Sequence, residues 1–266
     1  MTIAGFDPSS GAGVTADLAV IAGHGFFGTS AITALTVQST TGVRATHPVD
    51  PAVLGATLEC LVDDLPPDGI KIGMLATEEN VLVVAKFLRR YQREFGGTII
   101  PVVLDPVIRS SSGAELLSAT GVEAMRRELL PLVTWVTPNL QELSVLWEEE
   151  VATEAQMESV ATRMADEWCD LGVVATGGHL TQANDFAVEP GAKSEGWFRG
   201  EMIDSRATHG TGCAFSTALL CGLVDDWGGL EAVERAKEFV AQGIRRASPR
   251  GRGKGPLELL WKLKTS

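Results

Sequence analysis

The chain has 266 residues, 45% hydrophobic and 6% aromatic, with a formal net charge of −12 at pH 7 and a sequence pI of about 4.8. That length is enough for a sizeable core and fits a single α/β domain spanning 1–266. An acidic surface repels phosphate backbones, and no basic cluster or apolar run of membrane-spanning length occurs, so neither nucleic acid nor a membrane is expected as a partner.

The four cysteines, Cys60, Cys169, Cys213 and Cys221, include no C-x-x-C pair, and the four histidines are scattered. This predicts reduced thiols in a cytoplasmic protein rather than a zinc or disulfide framework. No secretory signal is expected ahead of the first strand.

In chain order, Thr2-Ile3-Ala4-Gly5 predicts a short buried strand that enters Asp7-Pro8-Ser9-Ser10-Gly11-Ala12-Gly13. A helix with apolar residues at Val14, Leu18, Ile21 and Ala22 follows. Gly11-Ala12-Gly13-Val14-Thr15-Ala16 matches the dinucleotide fingerprint G-x-G-x-x-A. The second strand, 31–37, however, ends in Gln38, where a nicotinamide site needs an acid for the ribose. A tight strand-to-helix turn is the better reading.

Alternation continues with helix 51–62 and strand 70–74, then helix 78–93 and strand 99–104. Helix 121–130 leads to strand 132–136, and helix 153–168 to strand 173–175. The strands are continuous apolar runs, which suits a parallel sheet covered on both faces. The pattern predicts a doubly wound α/β fold. Between 181 and 203, the short segments 185–188 and 196–198 predict a hairpin-like edge. A helix through 214–223 and a second over 229–247, striped by Val233, Ala236, Val240 and Ile244, close the pattern. Residues 251–256 have the composition of a mobile loop.

Ligands of open α/β sheets bind beyond the carboxyl ends of the strands. Standing there are Gly73-Met74, Asp105-Pro106-Val107, Thr137-Pro138-Asn139 with Glu142, Thr176-Gly177-Gly178-His179, and the loop Thr208-His209-Gly210-Thr211-Gly212-Cys213. Asp105 and Glu142 are hard oxygen ligands of the kind magnesium shares with phosphates. Singly, each reads equally well as a turn or cap residue; together they point to a metal–phosphate site. Gly210 and Gly212 allow a tight turn, and a helix starting at Gly212-Cys213 would aim unpaired N–H groups and its positive end at an anion. The same field predicts a lowered Cys213 thiol pKa. The plainer alternative is a core helix with a buried cysteine behind a capping loop. A Cys-His hydrolase built on Cys213 with His209 or His179 is disfavoured, because His209 lies only four residues away across a glycine turn. No P-loop and no protein-kinase signature is present.

Taken in order, Thr2–Gly13, Lys71-Ile72-Gly73-Met74-Leu75, Leu104–Val107, Thr137–Leu140 with Glu142, Gly177-Gly178-His179, His209–Cys213 and Gly253–Leu257 resemble the hydroxymethylpyrimidine/phosphomethylpyrimidine kinases of thiamine biosynthesis, a branch of the ribokinase-like superfamily. The resemblance implies a three-layer αβα sandwich with a mostly parallel central sheet, ATP as co-substrate, Mg2+ and a homodimer. It also implies two successive phosphorylations, of the aminopyrimidine alcohol 4-amino-5-hydroxymethyl-2-methylpyrimidine and then of its monophosphate. By the same resemblance Gln38 bonds the aminopyrimidine edge, Gly5, Met74 and Val107 line the ring pocket, and Asp7 stands close by in a turn. Asp105 and Glu142 would hold the metal, directly or through water. Asn139, Thr176, Gly177 and Lys237 fall at nucleotide or phosphate positions. Gly210, Thr211 and Gly212 would form the anion hole, with Cys213 where most of the superfamily has a proton-accepting Asp.

Three positions depart from the family's usual pattern: Thr176 stands where it usually has Lys, Phe6 where Ser is common, and Ser10 where Gly is common. Loss of a cation at 176 predicts weaker phosphate binding or a shifted balance between the two steps. Pyridoxal or pyridoxine kinase activity is the closest alternative, and a catalytically weak ligand-binding homologue a third.

Overall fold

The structure is a computed structural model that describes residues 1–95, 100–110, 113–178, 182–192 and 194–264. Its strands are β1 (Thr2–Phe6), β2 (Ser30–Ser39), β3 (Gly42–Pro48), β4 (Ile70–Ile72), β5 (Val102–Leu104), β6 (Trp135–Val136), β7 (Gly172–Ala175), β8 (Asp185–Val188) and β9 (Glu195–Phe198). They form one sheet in the order β3-β2-β1-β4-β5-β6-β7-β8-β9. The six from β2 to β7 in that order are parallel; at the edges β3 pairs antiparallel with β2, β8 with β7 and β9 with β8. The helices are α1 (Gly13–Gly23), α2 (Pro51–Asp64), α3 (Glu78–Phe95), α4 (Ala119–Ala124), α5 (Leu140–Trp147), α6 (Glu154–Glu167), α7 (Thr211–Val224) and α8 (Gly229–Arg246).

Strand alternation sorts the core into two layers. On β5, Val102 and Leu104 face a cluster with α2, α3, α5 and α6, while Val103 between them faces α1, α7 and α8. Helix α7 is buried from Ala214 to Gly222 because it lies between α1 and α8 against the sheet. The three-layer sandwich with a mostly parallel sheet is therefore as expected.

The differences have local causes. Strand β3 was not foreseen. It pairs with β2 across the turn Thr40-Thr41, which lacks the Asn-Gly or Gly chemistry that usually marks a two-residue hairpin. The predicted helix 121–130 is the short α4 followed by a π-helical turn, Met125–Leu129, and a 3-10 turn, Leu130–Leu132. Pro131 cannot supply a helical N–H, so the coil tightens there and β6 shrinks to two residues. Strand β5 is shorter than 99–104, with Ile99 outside the described residues. Residues 251–256 are docked rather than loose. Gly255 N–H donates to Arg206 O (2.7 Å), Gly255 O accepts from His209 N–H (3.0 Å), and Gly253 N–H donates to Thr40 Oγ1 (3.3 Å).

Strand alternation also places a charged side chain inside the core. In β4, Ile70 and Ile72 face the α2–α3 layer, so the alternation sends Lys71 toward α1 and α7. Lys71 and Asp17 are both fully buried, with Nζ 3.1 Å from each Asp17 oxygen. Thr2 and Thr217 hydroxyls donate to the same carboxylate at 2.6 and 2.9 Å. Burial disfavours the ammonium, but Asp17, Cys213 and Asp105 outweigh it and hold the Lys71 pKa above its usual value. A buried pair costs desolvation when intact and far more when one partner is removed. Asp17→Leu should therefore lower the unfolding free energy by about 3–5 kcal/mol in urea titrations. A loss below about 1 kcal/mol would mean that water reaches Lys71.

Candidate active site

The loop after β1 is folded around Asp7. Its Oδ1 accepts from Ser9 N–H (2.8 Å) and the Ser9 hydroxyl (2.7 Å); its Oδ2 accepts from Ala12 N–H (3.0 Å) and lies 2.7 Å from His209 Nε2. Burial pushes this carboxyl up, but the bonds from His209 and Ser9 prevail and hold it below its usual value. Ser10 takes a left-handed φ of 58°. Gly11 lies under the His209 ring, where a Cβ would fall 2.1 Å from Cδ2.

Against this loop sits the second glycine turn. Gly210 has φ 81°, and a Cβ there would fall 1.8 Å from Gly11 O, so only glycine fits. It caps α7, which begins at Thr211, slightly earlier than its sequence suggests. Ala214 N–H makes the first bond to the cap, to Gly210 O at 2.9 Å. The amides of Thr211, Gly212 and Cys213 therefore have no carbonyl of their own helix to serve. Gly212 is exposed at this end, and a Cβ on it would lie 3.8 and 3.9 Å from the Asp105 oxygens.

Asp105, 5% exposed, ends β5 beneath α7. Its Oδ2 accepts from the Ser216 hydroxyl (3.3 Å) and lies 4.0 Å from Lys71 Nζ. Burial raises its pKa more than Lys71 lowers it. Glu142 is the third residue of α5 and completes a capping box: Asn139 Oδ1 accepts from Glu142 N–H (3.0 Å), and Glu142 Oε2 from Asn139 N–H (3.0 Å). Burial and the Asp105 charge push the Glu142 carboxyl up to about 8, although backbone N–H groups of Asn139 and Ile108 stabilise the anion. The cap and ligand readings of Glu142 are thus compatible in one side chain. No group of three or more His, Cys, Asp or Glu suited to a metal is found among the described residues. Two adjacent carboxylates fit a cation of the magnesium type that draws its remaining ligands from phosphate and water.

The expectation for the Cys213 thiol is overturned. Burial, with Asp105 and Asp17 adding to it, raises its pKa to about 12 against the pull of Lys71 and an N–H from Gly13. The helix end alone does not decide the local field. His209 Nε2 is engaged by Asp7, which leaves no Cys-His pairing in evidence; His179 lies outside the described residues.

These groups open into a cavity of about 1600 Å³, large for one small ligand and sufficient for two side by side. Gly5, Asp7, Gln38, Met74, Val107 and Asn139 line it, as do Asp105, Glu142, Thr176, Lys237 and residues 210–213. Gly177 does not. It is buried, and its N–H donates to Asp185 Oδ1 at 3.0 Å. Lys237 donates to Ala183 O and, at 2.6 Å, to Asp185 Oδ2, so its charge is partly spent within the wall. Thr176 adds only a hydroxyl, 3.5 Å from Pro138 O. The α8 stripe divides, Val233 and Ala236 facing the core while Val240 and Ile244 line the cavity.

Four participants were missed from sequence: Lys71, Asp185, Ser216 and the side chain of His209. A lysine between two isoleucines of a buried strand was a readable signal for the first. The others depend on contacts 8 to 202 residues apart.

The family model described as phosphomethylpyrimidine kinase matches residues 7–258. The hydroxymethylpyrimidine/phosphomethylpyrimidine kinase of Aquifex aeolicus is 35% identical over 256 residues, covering 95% of this chain and 96% of that protein. The thiamine biosynthesis bifunctional protein ThiED of Geobacter sulfurreducens is 36% identical over 97% of this chain, which spans 51% of that longer protein. Among solved structures, an ADP complex of Bacillus subtilis pyridoxal kinase superposes with TM-score 0.85 at 30% identity, covering 100% of this chain and 98% of that one.

A carboxyl raised from 4.5 to about 8 favours the folded state fully below pH 4.5 and loses that contribution as pH rises through 8. Without metal, Glu142→Gln should therefore gain thermal stability over wild type progressively between those limits and level off above them. A difference independent of pH in thermal melts would place the Glu142 titration elsewhere.

Proposed function

The chain belongs to the phosphomethylpyrimidine kinase family, and from that premise we propose that residues 1–266 act as one kinase domain phosphorylating an aminopyrimidine alcohol and then its monophosphate at the expense of ATP. The observation that carries this reading is the convergence of the α7 amides, Asp105 and Glu142 on the cavity that Gln38 also lines. The carboxamide of Gln38 offers one donor and one acceptor, matching an amino group beside a ring nitrogen. Gly5, Met74 and Val107 form walls for a flat ring next to it.

Phosphoryl transfer has a loose transition state, so positioning and charge stabilisation supply most of the rate. The amides of Thr211, Gly212 and Cys213 would receive the transferring group at the positive end of α7. Asp105 and Glu142 would hold Mg2+ together with nucleotide phosphates; the cation, when bound, offsets their negative charge. Cys213 stands at the helix start as acceptor for the substrate hydroxyl proton. With its pKa near 12 the thiolate is a minor form, a cost that a weak demand for base makes tolerable. Thr176 gives the phosphate region a hydroxyl and no cation, and Lys237 supplies positive charge there only as far as Asp185 releases it.

Leu35 and Val37 are half exposed on the β2–β3 ribbon, and a homodimer pairing two such ribbons would cover them. Among the described residues no helix is long and apolar enough to cross a membrane, in keeping with a cytoplasmic enzyme. Pyridoxal is the informative competing substrate, given the likeness to pyridoxal kinase.

A coupled assay with the aminopyrimidine alcohol and with pyridoxal should show faster ADP release with the former. Cys213→Ala should lower kcat at least about tenfold while the KM for ATP stays within about twofold. Transfer to pyridoxal alone would reassign the substrate. Unchanged turnover in the variant would make the thiol a packing group.

A further inference from the structure

Five groups form a row across the pyrimidine side of the cavity. Thr36 Oγ1 lies 2.9 Å from Phe6 O and 3.1 Å from Gln38 Oε1. At the far end of the same amide, Gln38 Nε2 lies 3.1 Å from His209 Nε2, which in turn lies 2.7 Å from Asp7 Oδ2. The protons available along this row fix its direction. Asp7 accepts from Ser9 twice and from Ala12, the pattern of an ionised carboxylate, so the imidazole nitrogen facing it must carry a proton. That N–H is a donor, and an amide NH2 opposite it would place donor against donor. At the other end Thr36 has one hydroxyl proton, and the shorter contact gives it to Phe6 O, which can only accept. The Thr36 oxygen is then left to accept, and an amide oxygen opposite it would place acceptor against acceptor. A carboxamide fills the same space with its oxygen and nitrogen exchanged. Exchange removes both conflicts at once.

We propose that His209, held by Asp7, is a positioning residue that fixes substrate specificity through Gln38: its Nε2 proton, given chiefly to Asp7 and shared with the amide in a three-centre bond, turns the amide oxygen toward the imidazole and the amide nitrogen toward Thr36. The cavity wall then shows an acceptor on the His209 side and a donor on the Thr36 side, in that order. A ligand edge with an amino group next to a ring nitrogen can meet this wall in one orientation only, with its amino group on the His209 side. The ring is thereby oriented by a residue that need not touch it. Because His209 immediately precedes Gly210, the piece of chain that fixes the ring's direction is continuous with the turn that starts α7. Gly11 has no side chain because the imidazole occupies that space, so the row is built into the packing of both loops.

This inference rests on the kinase reading for its substrate but not for its proton order, and two measurements separate them. His209→Leu removes the donor and His209→Gln retains one. The Leu variant should raise the KM for the aminopyrimidine alcohol about tenfold, and the Gln variant should return it to within about threefold of wild type. The KM for Mg-ATP should hold in both. Equal KM values for the two variants, or a KM for ATP rising in step, would reduce His209 to a structural role and overturn the proposal. In the wild-type protein, a long-range 1H–15N spectrum of His209 at neutral pH should show Nε2 protonated; a bare Nε2 would overturn the proposal even if a variant failed to fold. Absence of any transfer by wild type would remove the kinase reading and leave the spectrum to decide the proton order.

Discussion

Two glycine turns from opposite ends of the chain are in contact where neither can carry a side chain. Gly210 lies against the carbonyl of Gly11, and Gly11 lies against the ring of His209. This contact holds the loop after β1 to the start of α7, and everything the cavity can do follows from it. It sets the α7 amides beside Asp105, brings His209 to Asp7, and leaves Gln38 facing both. A substituent at Gly210 would have to part the loops, and the left-handed backbone there adds its own strain for any other residue.

Beneath this contact lies a cluster of buried charges. Lys71 is shared between Asp17, at 3.1 Å, and Asp105, at 4.0 Å. One buried cation faces two buried carboxylates, and burial, with carboxylate charge adding to it, raises the pKa values of neighbouring groups. Glu142 rises to about 8 and Cys213 to about 12. Both shifts go in the direction that burial and neighbouring negative charge set. The two carboxylates that face the cavity are held by other contacts, Glu142 by its capping box and Asp105 by Ser216.

Much of this was legible in the amino-acid sequence, and for identifiable reasons. Continuous apolar strands alternating with striped helices specify a covered parallel sheet, because period and burial act locally. The strand-end positions of Asp105, Asn139 and Glu142 follow from that topology. The β2–β3 hairpin was not legible, since Thr40-Thr41 carries no turn signature, and neither was the tightened coil before β6. The site's electrostatics were the least legible. A helix start predicts a lowered thiol pKa only if nothing else is near; burial reverses the shift, with carboxylates from residues 17 and 105, distant in sequence, adding to it. Likewise, His209 reads as a loop residue until the fold delivers Asp7 and Gln38 to the same ring nitrogen.

The most direct test of the account is a crystal structure with Mg2+, a non-hydrolysable ATP analogue and the aminopyrimidine alcohol. The terminal phosphate should lie within about 3.5 Å of at least one amide among Thr211, Gly212 and Cys213, with the hydroxymethyl oxygen facing it. A terminal phosphate bound elsewhere in the cavity, out of reach of the α7 amides, would contradict the account.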